Sequence, residues 1–194
     1  RNERVLREVG GGIILAADNV EPPIAIQYRA VGAASLGREP LCDVVYNPSL
    51  APVRSSAINE VKRRSELVSY LEQACVNDVL RAPGEPLTEI VGALSTVAEH
   101  PSLGARRRNI IVLSDLLEES RGPMALDADL EGFLVLLIYR PVRQDGGNPA
   151  ALRARVAHWR TLLESRGAIV ESMPDSGVNR TAVAAILSLD RSNR

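Results

Sequence analysis

Oxygen-bearing side chains occur at two points of the sequence that could meet in the folded chain. Ser114 and Asp115 follow a hydrophobic run, and Glu118 and Glu119 come three and four residues after Asp115. Thr88 stands at the start of a segment with helical periodicity. A hydroxyl and a carboxylate suit magnesium or another oxygen-preferring cation. Thr88 and Asp115 are therefore candidate metal ligands, although two such groups do not make a complete site.

The same residues also have structural interpretations. A threonine near the start of a helix often caps it, and an aspartate after a strand often caps the segment that follows. For Thr88 and Asp115, both interpretations therefore stay open: a residue that caps the local backbone, and a metal ligand. Glu118 and Glu119 are expected to be solvated rather than catalytic.

The elements that would position these residues predict an α/β fold. Short apolar runs bounded by breakers predict buried strands at residues 13–17, 109–114 and 133–139. Runs without apolar/polar alternation are typical of parallel sheets that helices cover on both faces. We therefore predict a single domain over residues 1–194, with a doubly wound, mostly parallel central sheet flanked by helices in a three-layer sandwich.

Further periodicities complete the order of elements. Residues 24–31 alternate as an edge strand does, and residues 43–46 form a short extended segment. Amphipathic spacing predicts helices at 58–80, 87–99, 148–166 and about 181–189, and a last strand is predicted at 168–173. The helix at 148–166 has the clearest ends, with Asn148 as its N-cap, Pro149 at its first position and Gly167 as its stop.

Ligands of open α/β sheets bind beyond the carboxyl ends of the strands, where loops diverge and helix N-termini supply partial positive charge. Asp115 and Thr88 are both expected at this edge. Their motifs resemble those of the von Willebrand factor A (vWA) domain family. The run NIIVLSDLLEES (109–120) is similar to the family's fourth strand with its aspartate, and Thr88 with the helix after it is similar to the family's threonine loop.

The resemblance covers about residues 1–175. It implies a vWA-like sandwich whose metal-ion-dependent adhesion site holds Mg²⁺ or another divalent cation, with Thr88 and Asp115 among the ligands. It also implies that another protein binds at the carboxyl-end face of the sheet, where an acidic side chain of the partner completes the coordination of the cation.

The family's third motif, Asp-x-Ser-x-Ser after the first strand, is absent from this sequence. The nearest segment, 18–21, lacks both serines. Either residues 13–17 are the first strand with a degenerate site, or residues 2–9 are the end of the first helix, residues 13–17 are the second strand and the first strand lies before Arg1. We favour the second explanation, because little besides Pro22 and Pro23 separates Asp18 from the next strand, which leaves no room for a crossover helix.

Composition narrows the classes of partner. The chain has 23 basic and 24 acidic residues, so net charge gives no reason to expect nucleic acid. No apolar run is long enough to span a bilayer, so no membrane insertion is expected. The compartment stays open: the cytoplasm is favoured, and the periplasm or export would follow if an N-terminal segment has been removed.

Cys42 and Cys75 are the two cysteines of the chain, too few for a disulfide framework and not spaced as a metal knuckle. Two buried or half-buried thiols are the favoured interpretation, and a single disulfide is the alternative.

Two functions follow from these observations. The preferred one is a non-enzymatic protein-interaction module of the vWA type. The alternative is a small-molecule or nucleotide-handling α/β enzyme that uses the acidic cluster near Asp115, although no phosphate loop or convincing nucleophile accompanies it. Asp127 and Asp129 have a spacing that some phosphotransferases use, but no hydrophobic strand precedes them.

Overall fold

A computed structural model describes residues 3–17, 24–29, 31, 40–46, 62, 65–66, 68–82, 88–99, 108–119, 126–142, 145 and 148–189. Within these residues the elements follow in this order: α1 (Glu3–Ala17), β1 (Ile24–Tyr28), β2 (Cys42–Tyr46), a π-helical segment (Tyr70–Cys75) continuing into α2 (Val76–Arg81), α3 (Ile90–Glu99), β3 (Arg108–Ser114), β4 (Phe133–Tyr139), α4 (Pro149–Glu164), β5 (Ile169–Pro174) and α5 (Arg180–Leu187).

A three-stranded parallel sheet in the order β3-β4-β5 forms the centre of the molecule. Ser114 pairs with Tyr139, and Tyr139 pairs with Pro174, so the three strands end together at one edge of the sheet. In β4 the five side chains from Leu134 to Ile138 are fully buried. The apolar run that predicted this strand is therefore explained by burial on both of its faces.

Helices cover both faces of this sheet. On one face, α1 and α5 pack against the even-numbered side chains of β4 from Leu134 to Ile138. On the other face, α3 and α4 pack against Phe133, Val135 and Leu137. The predicted mixed α/β fold with a parallel sheet between helices is thus confirmed at this level.

The ends of α4 and α5 follow from their capping residues. Asn148 accepts a hydrogen bond from the Ala150 N–H at 2.9 Å, and Asn179 accepts one from the Ala182 N–H at 2.9 Å. Gly167 has a φ of 88° and follows the last turn of α4. A side chain there would have a Cβ 3.1 Å from the backbone of Glu131, so both conformation and space favour glycine. The predicted ends of this helix are confirmed to within two residues.

A second, two-stranded sheet is formed by β1 and β2, which pair antiparallel. Its inner face packs against Leu71 and Cys75 of the π-helical segment and against α1. Cys42 and Cys75 form a disulfide with their Cα atoms 5.4 Å apart, so the favoured interpretation of two separate thiols is wrong. Closing a loop of 33 residues restricts the unfolded chain and is worth about 4 kcal/mol on the chain-entropy estimate.

The predicted strand at residues 13–17 is wrong, so these residues are neither the first nor the second strand of the sheet, while the helix expected over residues 2–9 is present as the first part of α1. Residues 13–17 are the last turns of α1, which runs without a break from Glu3 to Ala17. The segment 18–21, weighed as a degenerate metal motif, lies outside the described residues. The predicted helix at 58–80 is confirmed where it is described, at residues 62, 65–66 and 68–81, with a π-helical segment from Tyr70 to Cys75. None of the described helices is long and apolar enough to cross a membrane.

The glycines of α1 explain why the sequence predicts a strand at residues 13–17 instead of a helix. Gly10, Gly11 and Gly12 weaken a helix by about 1 kcal/mol each relative to alanine, and the sequence therefore indicates a break. In the fold they are buried, and Gly12 lies so close to α5 that a Cβ on it would be 2.5 Å from the Cβ of Val183. Close packing of two helices over β4 has outweighed helix propensity.

Gly12→Ala is expected to lower the free energy of unfolding by roughly 1–3 kcal/mol, because the added methyl overlaps Val183 and the Arg180 carbonyl. Gly11→Ala is the matched control, since its Cβ would meet Arg180 at an ordinary 3.5 Å. The control is expected to be neutral or stabilising by up to about 1 kcal/mol. Urea unfolding of both variants measures the difference. Equal effects would contradict the close contact between α1 and α5.

Candidate functional site

Two loops meet at the carboxyl end of β3. One loop, residues 115–119, directly follows the strand, and the other, Thr88 and Glu89, leads into α3. The Thr88 N–H donates to Glu119 Oε2 at 3.1 Å, and the Glu119 N–H donates to the Thr88 carbonyl at 2.8 Å. These reciprocal bonds join the loop that carries Asp115 to the loop that carries Thr88. We call the two segments together the β3–α3 loop pair.

Glu118 caps the N-terminus of α3. Its Oε2 accepts hydrogen bonds from the Ile90 N–H at 2.7 Å and the Val91 N–H at 3.3 Å. The first N–H groups of a helix have no partner within the helix, and a carboxylate there also interacts favourably with the helix dipole. Glu118 is half-buried rather than solvated, whereas Glu119 is exposed as expected, although its carboxylate accepts the Thr88 N–H across the loop pair.

Asp115 is half-buried and lies in a tight turn. Its Oδ1 accepts a hydrogen bond from the Leu117 N–H at 3.1 Å, and the Ser114 Oγ accepts one from the Leu116 N–H at 3.0 Å. Asp115 therefore does have the capping role considered from sequence. Its second carboxylate oxygen accepts no hydrogen bond from the described residues, so this role leaves one oxygen for a ligand.

Leu116 adopts a left-handed backbone conformation with a φ of 61°. This conformation costs a residue with a side chain roughly 1–2 kcal/mol, so surrounding contacts must maintain it. The Leu116 side chain is 1% exposed, and its carbonyl accepts a buried hydrogen bond from Trp159 Nε1 at 2.9 Å. The turn after β3 is thus anchored to helix α4.

Thr88 is half-buried at the start of α3, and its hydroxyl has no hydrogen-bond partner among the described residues. A hydroxyl, a carboxylate oxygen of Asp115 and the buried, unpartnered Oε1 of Glu118 are oxygen donors of one loop pair. Oxygen donors of these kinds are the ligands that hard divalent cations prefer. In the described parts of the chain, however, no three His, Cys, Asp or Glu side chains are grouped to hold a metal ion, so a complete site needs further ligands.

The loop after β4 lies at the same edge and contains an almost completely buried ion pair. Arg155 of α4 donates from both terminal nitrogens to the two carboxylate oxygens of Asp145, at 2.9 and 3.1 Å. The Val142 N–H also donates to this carboxylate at 2.8 Å. These bonds, with the Arg155 contribution the largest, hold the pKa of Asp145 below its ordinary value. The ion pair fastens this loop to α4.

Asp127 and Asp129 lie at the opposite edge, before the amino end of β4. They line a shallow cleft together with Glu131 and Arg166. The Asp127 side chain is 91% exposed and 3.7 Å from Arg166, while Asp129 Oδ1 accepts a hydrogen bond from the Glu131 N–H. The structure therefore separates this acidic cluster from Asp115.

No protein-family model matches the chain, and neither does any curated protein or solved structure.

Asp115 and Thr88 are candidates that the sequence itself suggests, but the contacts that hold their loops cannot be predicted from it. Glu118 meets Ile90 from 28 positions away, and Trp159 meets Leu116 from 43 positions away. No local motif signals such contacts. The ion pair of Asp145 and Arg155 was missed for a related reason, because a single acidic residue in a loop gives no sign of burial.

Glu118→Ala is expected to lower the free energy of unfolding by about 0.5–2 kcal/mol, because it leaves the first N–H groups of α3 without an acceptor. Glu99→Ala is the control, since Glu99 is the exposed last residue of the same helix. It should change stability little. Urea unfolding compares the two variants. A Glu118→Ala protein as stable as the Glu99→Ala protein would rule out the cap.

The Asp145 pair predicts a specific loss of stability in acid. Because the folded pKa of Asp145 is lowered, its contribution is fully present above the unfolded pKa of about 3.9 and is lost as the pH falls through the folded pKa. Asp145→Asn should therefore flatten the dependence of unfolding free energy on pH in this acidic range. Asp127→Asn, at an exposed carboxylate, should leave the wild-type profile intact. Identical profiles for Asp145→Asn and the wild type would contradict the buried pair.

Proposed function

We propose that this chain is a protein-interaction module of the vWA type, which binds its partner at the carboxyl-end edge of the parallel sheet. The observation that supports this most is the β3–α3 loop pair. Reciprocal hydrogen bonds between Thr88 and Glu119, with Glu118 capping α3, join the loops of the two residues that the vWA resemblance assigns to a cation. Two loops far apart in sequence are thereby held as one unit.

In this proposal Asp115 and Thr88 each have one role. Asp115 contributes the carboxylate oxygen that the Leu117 N–H leaves free, and Thr88 contributes its hydroxyl. A bound divalent cation would supply a concentrated positive charge with a coordination position for an acidic side chain of the partner protein. Charge complementarity of this kind orients the partner and accelerates association.

The arrangement of the two sheets also supports the complete doubly wound sandwich that the sequence predicts. No described strand pairs with the edge of β3 that faces away from β4. Ile13 of α1 packs against the core of the three-stranded sheet and also against the core beneath the β1–β2 hairpin, so one helix spans both sheets. We propose that a further strand pairs with this edge of β3 and extends the parallel sheet.

The alternative of an enzyme has less support. It would need acidic groups near Asp115 that can exchange a proton with a substrate, whereas Glu118 and Glu119 each use Oε2 to hold main-chain N–H groups of the loop pair. The cleft that contains Asp127 and Asp129 lies at the other edge of the sheet. We therefore do not propose catalysis.

Paramagnetic Mn²⁺ tests the cation directly. Titration of the ¹⁵N-labelled chain should broaden the amide signals of Thr88, Leu117 and their neighbours before any others. Asp115→Asn should abolish this broadening, because it removes the charge but keeps an oxygen that can accept the Leu117 hydrogen bond.

Asp129→Asn is the matched control for this experiment. Asp129 makes the same contact with the N–H two residues ahead, at 2.9 Å, but lies at the opposite edge. The Asp129→Asn protein should bind Mn²⁺ at the loop pair as the wild type does. Absence of local broadening in the wild type, or broadening that survives Asp115→Asn, would overturn the cation-binding proposal.

A further inference from the structure

One peptide group links Trp159 to Asp115. The carbonyl of Leu116 accepts the indole N–H of Trp159 at 2.9 Å, and the N–H of the next residue, Leu117, donates to Asp115 Oδ1 at 3.1 Å. These carbonyl and N–H groups belong to the same planar unit, so the orientation of one determines that of the other. The carboxylate and the indole thus bind the two ends of a single peptide plane.

The indole is well placed to hold this plane. Trp159 is 1% exposed and lies in the core between α4 and the sheet, together with Leu116, Leu137 and Leu163. Its position is set by that core, which does not depend on the loop alone. A buried carbonyl without a partner is unfavourable, so the plane cannot rotate away from the indole without cost.

Leu116 needs this restraint because of its left-handed conformation. The φ of 61° is unfavourable for leucine, and relaxation to a right-handed or extended conformation would reorient the peptide plane. The Leu117 N–H would then lose Asp115 Oδ1, and the carboxylate would be free to rotate. The left-handed turn and the orientation of Asp115 are therefore maintained together.

We propose that Trp159 is a positioning residue for Asp115, acting through the Leu116–Leu117 peptide group. This inference rests on the proposed role of Asp115 in binding a cation or partner. It assigns to helix α4 the task of presenting the carboxylate in one orientation before a ligand arrives. Positioning groups behind a metal ligand typically change metal affinity by 10- to 100-fold.

Trp159→Phe removes the indole N–H and keeps an aromatic ring in the core. It should weaken Mn²⁺ binding at least tenfold, measured by paramagnetic broadening. In the metal-free protein, it should shift the ¹³Cα signal of Leu116 and speed hydrogen exchange of the Leu117 amide. Leu163→Val is the control, because Leu163 is fully buried in the same helix and core but is not hydrogen-bonded to the loop. It should leave Mn²⁺ affinity within twofold of the wild type.

The outcomes separate this inference from the proposed function. If the wild type binds no Mn²⁺, the proposed function fails, and the metal-free Leu116 and Leu117 signals of Trp159→Phe still decide whether the indole holds the turn. Wild-type signals in that variant, or equal loss of Mn²⁺ affinity in Leu163→Val, would overturn the positioning role. A measurement on the wild type keeps the inference testable if Trp159→Phe does not fold. Trp159 is the single tryptophan of the chain, so its indole N–H signal can be followed alone. This N–H should exchange with solvent as slowly as the backbone amides of β4. Rapid exchange would also overturn the proposal.

Discussion

Complete burial of β4 is the constraint on which the rest of the structure depends. Five successive side chains from Leu134 to Ile138 are removed from water, so apolar elements must cover both faces of one strand. Helices α1 and α5 cover one face and α3 and α4 cover the other. Burial of this kind contributes about 25 cal/mol for each Å² of apolar surface, which makes it the main favourable contribution to folding. Helix placement then determines where the loops meet.

The carboxyl-end edge owes its order to unsatisfied groups at helix and strand ends. The first N–H groups of α3 need acceptors, and Glu118 from the neighbouring loop supplies one. The left-handed Leu116 needs a restraint, and Trp159 from α4 supplies it. The loop after β4 is held in the same way by the ion pair of Asp145 and Arg155. Each loop is therefore bonded to a helix that packs on the same face of the sheet.

How much of the fold and of the candidate site can be predicted from the sequence depends on whether neighbouring residues alone determine each feature. Strand β4 was predicted with its correct bounds because an uninterrupted apolar run between breakers is a local pattern. Helix α4 was predicted because Asn148 and Gly167 mark its ends. The strand predicted at residues 13–17 was wrong because the preceding glycines serve a contact with α5, some 170 positions away, that no local pattern reveals. The same reason explains why Asp115 could be proposed from sequence while Glu118 and Trp159 could not.

The β3–α3 loop pair is expected to be ordered before any ligand binds. Residue-resolved hydrogen exchange of the metal-free chain tests it most directly, through the amides of Ile90, Leu117 and Glu119, whose acceptors are Glu118, Asp115 and Thr88. These three amides should exchange as slowly as amides in the body of α3. Exchange at the rate of an unstructured loop would contradict it, because the hydrogen bonds that join the two loops would then not persist in solution.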